Sequence, residues 1–302
     1  MNGKLIEIRG KEIYVEVHGE NNKCPVLYLH GGPGESCYDF SYHQAKTLSE
    51  FVKLIAIDQR GVSRSELIEE EDAFGLDDII EDCEELRKLL GIERWSLIGH
   101  SFGGYVALKY AYKYPSSVNK IIFEGPTFDF RLTTISLLEK TAQIAEKYDI
   151  QNISEECLSL AKSNKSTKEL VEGYLDLSYY LCEKRMEIYT YTFSNQTDYS
   201  VYTQEEWNDF DYNAEVHYDR LRDEGAIYET LLPVIKEIQS PMLLLLGKYD
   251  PVTCQKQIDA FKKNARYRKI FIFNNSGHTP HYEESKLFSR VVINYLLDKP
   301  LK

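Results

Sequence analysis

No stretch of this 302-residue chain is apolar enough to cross a bilayer: its purely apolar runs last only a few residues, where a spanning helix needs about 20. Positive charge is scarce as well. Lys and Arg number 36 against 48 Asp and Glu, and the formal charge of −12 disfavours nucleic acid or an anionic membrane as partner. The six cysteines (Cys24, Cys37, Cys83, Cys157, Cys182, Cys254) include no C-x-x-C pair, and no H-E-x-x-H occurs. That spacing fails as a zinc set and reads as free thiols in a reducing cytosol, so the expectation is a cytoplasmic protein with no metal and no cofactor. No apolar leader is expected either, since Leu5-Ile6-Glu7-Ile8 alternates like an early strand. No internal repeat or low-complexity tract occurs. What remains is 43% hydrophobic, enough for one large domain or a core with an insertion.

The most informative segment is Gly99-His100-Ser101-Phe102-Gly103-Gly104, between the apolar run Trp95-Ser96-Leu97-Ile98 and a helix-like stretch from Tyr105 to Tyr114. A G-x-S-x-G turn between a buried strand and a helix lifts the serine hydroxyl clear of the backbone, where a base can reach it. The bland alternative is a glycine-rich turn. Three further pieces weigh against it. His30-Gly31-Gly32-Pro33-Gly34 follows the strand Val26-Leu27-Tyr28-Leu29, and its small residues let backbone N–H groups approach a developing oxyanion. Met242-Leu243-Leu244-Leu245-Leu246 reads as a buried strand ending near Asp250, and Lys269-Ile270-Phe271-Ile272-Phe273 as a strand ending near His278. Serine, then a carboxylate, then a histidine, each just past a strand, is the chain order of a hydrolytic triad: Ser101 nucleophile, His278 base, Asp250 orienting acid.

Other histidines compete for the base. His100 adjoins Ser101 but points elsewhere in such a turn, and His30 suits loop shaping. His281 lies three residues beyond His278 and can rim a pocket. His18, His43 and His217 default to structural roles, and Glu35 reads equally as a helix-approach residue or a pocket acid.

Strand signals fall at 5–8, 13–18, 26–29, 53–57, 96–98, 120–123, 242–246 and 269–273, the first two as a hairpin turned at Arg9-Gly10. Helical periodicity covers 41–49, 75–90, 102–114, 254–263 and 283–297. The alternation predicts an α/β fold around a mostly parallel sheet of eight strands with helices on both faces. Between 127 and 240 the strand signal disappears, and helical runs follow at 136–147, 155–162 and 167–182. That window holds 22 acidic and 11 basic residues, a difference of −11 against −12 for the whole chain, and 11 of the 23 tyrosines. Most of these side chains read as a solvated acidic helix surface with tyrosines as packing.

These motifs together resemble the α/β-hydrolase superfamily, and within it the proline iminopeptidase-like branch. His30 to Gly34 is similar to that branch's oxyanion loop and Gly99 to Gly104 to its elbow. Asp58-Gln59-Arg60-Gly61-Val62-Ser63-Arg64-Ser65 resembles its D-Q-R-G-x-G-x-S element, with Ser63 where glycine is usual. The resemblance implies a core of 1–126 and 241–302 and a helical cap, 127–240, inserted between strands six and seven. It also implies oxyanion donors at the N–H groups of Gly32 and Phe102, and an acyl-enzyme mechanism on a small-molecule or short-peptide substrate. The leading expectation is an aminopeptidase that removes a small N-terminal residue. The alternatives are a carboxylesterase or other small ester or amide hydrolase, and a non-catalytic binding protein on the same fold. The branch's acids for a substrate amino terminus have no counterpart here: Pro251 follows Asp250, and no I-E-N-H-Y-F string occurs. Glu205, Glu206 and Asp209, flanking Trp207, are the candidate substitutes.

Overall fold

The computed structural model describes residues 3–150 and 152–301, so residues 1, 2 and 302 of the expected core and 151 of the expected insertion lie outside it. Eight strands form one sheet: β1 (Gly3–Ile8), β2 (Lys11–His18), β3 (Pro25–Leu29), β4 (Lys53–Ile57), β5 (Trp95–His100), β6 (Val118–Glu124), β7 (Met242–Gly247) and β8 (Arg268–Phe273). Their spatial order is β1-β2-β4-β3-β5-β6-β7-β8. The first two pairings, β1 with β2 and β2 with β4, are antiparallel, and every other pairing is parallel. The β1–β2 turn places Arg9 and Gly10 both at positive φ, 51° and 77°, the geometry that matches the twist of a two-residue hairpin. This is the α/β architecture that the alternation of elements predicts.

Period-two alternation divides the core between the two faces of the sheet. Leu27, Ile55, Leu97, Phe123 and Leu244 pack on one side with α1 (Leu76–Leu89) and α2 (Phe102–Lys113). Val26, Leu54, Ile98, Ile122 and Leu243 pack on the other, against Phe40 and the carboxy-terminal helix Ser285–Leu296. Both faces are covered, which is why the central strands read as continuous apolar runs. α1 forms because Leu76, Ile79, Ile80, Cys83 and Leu86 recur at helical spacing and are all buried.

Between β6 and β7 the chain is helical: α3 (Phe130–Lys147), α4 (Ile153–Ala161), α5 (Thr167–Tyr179) and α6 (Gln204–Glu224), with a 3₁₀ turn at Cys182–Ile188. α3 begins six residues before its apolar periodicity, because the Asp129 carboxylate caps it by accepting from Leu132 N at 2.9 Å. Leu138, Ala145, Cys157, Leu170 and Tyr174 give α3–α5 a small core of their own. The final stretch behaves differently: Ile227, Leu231, Ile235 and Ile238 join the main core beneath the sheet.

Candidate active site

The candidate triad residues and Gly32 each lie past the carboxyl end of a parallel strand, the edge where open α/β sheets bind ligands. Ser101 lies between β5 and α2, at the N-cap of the helix. Its φ of 53° and ψ of −117° are unusual for a residue with a side chain, a strain of about 1–3 kcal/mol. Hydrogen bonds hold it there: Ser101 N donates to Glu124 O at 2.9 Å, and Ser101 O accepts from Gly104 N at 3.0 Å and Thr127 N at 3.2 Å. The turn is tight enough that a Cβ on Gly103 would lie 2.0 Å from the carbonyl oxygen of Leu29. Phe102, as the first residue of α2, presents an N–H with no intrahelical acceptor.

His278 follows β8, and its Nδ1 donates to Asp250 Oδ1 at 3.1 Å. Val252 N donates to the same carboxylate oxygen at 2.8 Å, so the acid is fixed from its own loop. The backbone of His278 is anchored by donation to Tyr189 O at 2.6 Å, which ties the histidine loop to the segment between β6 and β7. Gly125, at φ +50°, sits against the pair. A Cβ there would lie 2.7 Å from His278 Nδ1 and 2.8 Å from Asp250 Oδ2.

The loop after β3 is held by the element Asp58 to Ser65. Asp58 Oδ1 accepts from Cys37 N at 2.8 Å, and Gln59 N donates to His30 Nε2 at 2.9 Å. Arg64 Nε donates to Asp58 Oδ2 at 2.6 Å, pairing that buried acid. Ser63 occupies a left-handed conformation, φ 48°, which explains why glycine suits the position. Burial pushes the His30 imidazole down to about 4, so it stays neutral and shapes the loop.

Ser101, His278 and Gly32 line one cavity of about 620 Å³. The helical segment supplies the opposite wall, with Phe130, Val171, Tyr189 and Tyr218 among its side chains. Further titratable groups face or adjoin this space, and a reading of the sequence misses them or leaves them open. Glu35 opens onto the cavity. Burial, then the negative charge of Asp39, raises its carboxyl above the usual range, while Arg185 and His278 counteract. Asp39 also lines the cavity and bonds His281 Nε2 at 2.7 Å, while His281 Nδ1 meets Glu124 Oε1 at 2.9 Å. Burial alone would depress His281, but the Glu124 and Asp39 carboxylates lift it to about 10, a buried imidazolium at neutral pH. His100 takes the opposite course. Burial and the neighbouring His278 and His281 push it well below its usual value, and as a neutral ring its Nε2 donates to His278 O at 3.2 Å. Sequence spacing carries no sign of the Glu124–His281–Asp39 chain, because its members lie on three separated segments.

The substitutes expected for a substrate-binding acid are elsewhere. Glu206 caps α6, accepting from Thr203 N at 2.7 Å, while Glu205 and Asp209 are exposed on the same helix; none of the three lines the cavity. α6 carries a polar sequence without strong helical periodicity, which hides its start. The Thr203/Glu206 capping box is the available signal. A metal has an awkward fit. His100, Glu124 and His281 offer ligand atoms within 4.8 Å of one another, but an ion would have to displace the His281 imidazolium from Glu124 and Asp39.

A family model described as the alpha/beta hydrolase fold matches residues 25–285. The chain belongs to the α/β-hydrolase fold family. Among curated relatives, a proline iminopeptidase of Heyndrickxia coagulans is 24% identical over 302 residues, covering 97% of each chain. Among solved structures, a proline iminopeptidase from Mycobacterium smegmatis superposes with a TM-score of 0.71 at 17% identity, covering 98% of each chain. A thermophilic esterase from Thermogutta terrifontis gives 0.68 at 17% identity, covering 99% of each. This α/β hydrolase is thus a proline iminopeptidase-like enzyme of the serine hydrolase type. Among its described residues no helix is long and apolar enough to cross a membrane.

Proposed function

We propose that the protein is an aminopeptidase of the proline iminopeptidase kind, acting through a Ser101 acyl-enzyme. The carrying observation is the convergence of Ser101, His278 and Gly32 on one cavity, with Asp250 bonded to the far side of the imidazole. In this reading Ser101 Oγ attacks the substrate carbonyl as His278 Nε2 takes its proton, and Asp250 holds the tautomer and stabilises the imidazolium. The N–H groups of Gly32 and Phe102 receive the oxyanion, a donation for which each lost bond typically costs about 100- to 1,000-fold in rate. His278 then returns the proton to the leaving amine and activates the water that releases the acyl group.

Two further observations support an amino-terminal substrate. Curated relatives of similar length include proteins named proline iminopeptidase, and Glu35, not Glu205, Glu206 or Asp209, offers a carboxylate to the cavity. Helices α3 to α6 serve in this reading as a cap that encloses the substrate. The six cysteines form no disulfide among the described residues, which agrees with a reducing cytosol. The competing reading is a carboxylesterase with the same triad, favoured by the many apolar and aromatic side chains of the cavity wall. A proline amide, its N-acetyl form and a short acyl ester decide between them by kcat/KM. The free amide should be cleaved fastest of the two amides and ahead of the ester; faster turnover of the blocked amide or the ester discards the aminopeptidase.

A further inference from the structure

The cavity holds a guanidinium that neither the proposed triad nor an amino-terminal anchor uses. Arg185, in the 3₁₀ turn Cys182–Ile188, lines the same space as Ser101 and Glu35. Its Nε donates to Ser178 Oγ at 3.2 Å, and that hydroxyl is wholly buried and donates in turn to Leu175 O at 3.1 Å. The serine therefore fixes the plane of the guanidinium. Among the described residues no carboxylate lies within 4 Å of it, although other arginines of the chain, such as Arg60, Arg64 and Arg87, are paired with acids. A half-buried arginine that is oriented but has no carboxylate partner leaves two terminal nitrogens free for a planar, bidentate anion.

We propose that Arg185 is the binding site for a substrate carboxylate, so that the preferred substrates are free dipeptides, whose amino end and carboxyl end are held at opposite charges of one cavity. The inference rests on the aminopeptidase reading for the amino end, and adds the carboxyl end. Size agrees with it. A fully extended dipeptide spans about 7 Å, short enough to lie whole within a cavity of about 620 Å³. Charge agrees as well: Arg185 is near enough to Glu35 to stabilise its carboxylate, yet not near enough to neutralise it by direct contact. Peptides extended beyond the second residue would carry their carboxylate past the arginine and lose this contact.

Binding can be separated from chemistry by calorimetry on full-length Ser101→Ala protein with three ligands: prolyl-alanine, its carboxy-terminal amide, and N-acetyl-prolyl-alanine. The amide should bind at least about 10-fold more weakly than the free dipeptide, in line with a charged hydrogen-bonded pair. In S101A/R185Q that ratio should fall to about one, while S101A/R185K, which keeps the charge without the fork, should retain part of it. Thermal melts check that each variant is folded. Equal affinity of dipeptide and amide in S101A, persistence of the ratio in S101A/R185Q, or absence of binding by all three ligands overturns the assignment. The N-acetyl ligand reports separately on the amino end: if it binds as tightly as the free dipeptide while the amide penalty still depends on Arg185, the aminopeptidase reading fails and the arginine site stands.

Discussion

Replacing His281 by alanine should cost the fold a large share of its stability, although the residue takes no part in proton transfer. The substitution removes a buried imidazolium from between Glu124 and Asp39, to which it bonds at 2.9 and 2.7 Å. Breaking a buried pair by deleting one partner costs about 3–5 kcal/mol, because the remaining charge is left uncompensated. The displacement of His281 from its reference near 6.5 to about 10 corresponds to about 5 kcal/mol, the same order. Unfolding entropy scales as about 2.1 cal/mol/K per residue, about 0.6 kcal/mol/K for 302 residues, so His281→Ala should lower Tm by about 5–8 °C. The pH dependence has a definite sign. A histidine raised in the folded state contributes its full stabilisation below about pH 6.5 and loses it as the pH climbs through 10, whereas Asp39, lowered in the folded state, contributes above about pH 4. The gap in Tm between wild type and variant should therefore be widest from about pH 4 to 6.5 and close toward pH 10. Melting curves of both proteins across that range measure it directly. A gap below about 2 °C, or one that does not narrow with rising pH, refutes the ion-chain account.

The nucleophile and base give the converse pattern: a fluorophosphonate probe should label wild type but not Ser101→Ala, and His278→Ala should abolish turnover with Tm nearly unchanged; labelling of both proteins alike removes Ser101 from its role. Asp250→Asn should lower kcat by about 10⁴ through the wrong imidazole tautomer, and retention of activity within tenfold in steady-state assays contradicts the orienting role. Gly125→Ala puts a Cβ 2.7 Å from His278 Nδ1; a kcat loss of at least about tenfold is expected, and normal turnover shows that the triad can shift aside. Glu35→Gln should raise KM for substrates with a free amino end and leave N-blocked esters alone, whereas Glu205→Gln and Asp209→Asn should alter neither; the opposite ranking in kcat/KM moves the ammonium anchor onto α6.

The parts of this enzyme that are continuous in sequence are readable from it. Each central strand is buried on both faces and so appears as an apolar run, and each candidate triad residue follows directly from the end of one. Ser101 is legible because its strained turn demands small neighbours, a demand written locally into Gly99, Gly103 and Gly104. The helical insertion is legible as a loss of strand signal, but its internal acids are not assignable. Glu205, Glu206 and Asp209 look suitable by proximity to Trp207, which packs against Tyr199, Tyr202 and Phe210 within the helical insertion itself. Whether an acid in a helix faces solvent, caps a terminus or enters a cavity depends on how that helix lies on its neighbours, and one chain's periodicity does not carry that information. Glu35 shows the same limit: its place after the His30–Gly34 loop is visible, while its exposure to the cavity depends on a wall assembled from residues more than a hundred positions away.

His278 and His281 stand only three residues apart, yet their surroundings assign them opposite chemistry. His278 meets one carboxylate through Nδ1, and in the proposed mechanism its Nε2 exchanges a proton with the Ser101 hydroxyl. His281 meets a carboxylate at each nitrogen and is raised to about 10; it has no free nitrogen and does not release its proton near neutral pH. A general base must gain and lose a proton in every cycle, with an affinity near the working pH. The chain Glu124–His281–Asp39 is therefore unsuited to proton transfer and suited to holding the backbone, since it pins β6, the loop after β3 and the short helix Pro280–Glu283 to one another beside the triad. Ser101 N is anchored on the carbonyl of Glu124 and His278 stands three residues from His281, so loosening this ion chain disturbs both residues of the proposed reaction at once. The catalytic geometry proposed for Ser101 and His278 thus depends on a histidine that takes no part in the proton transfer.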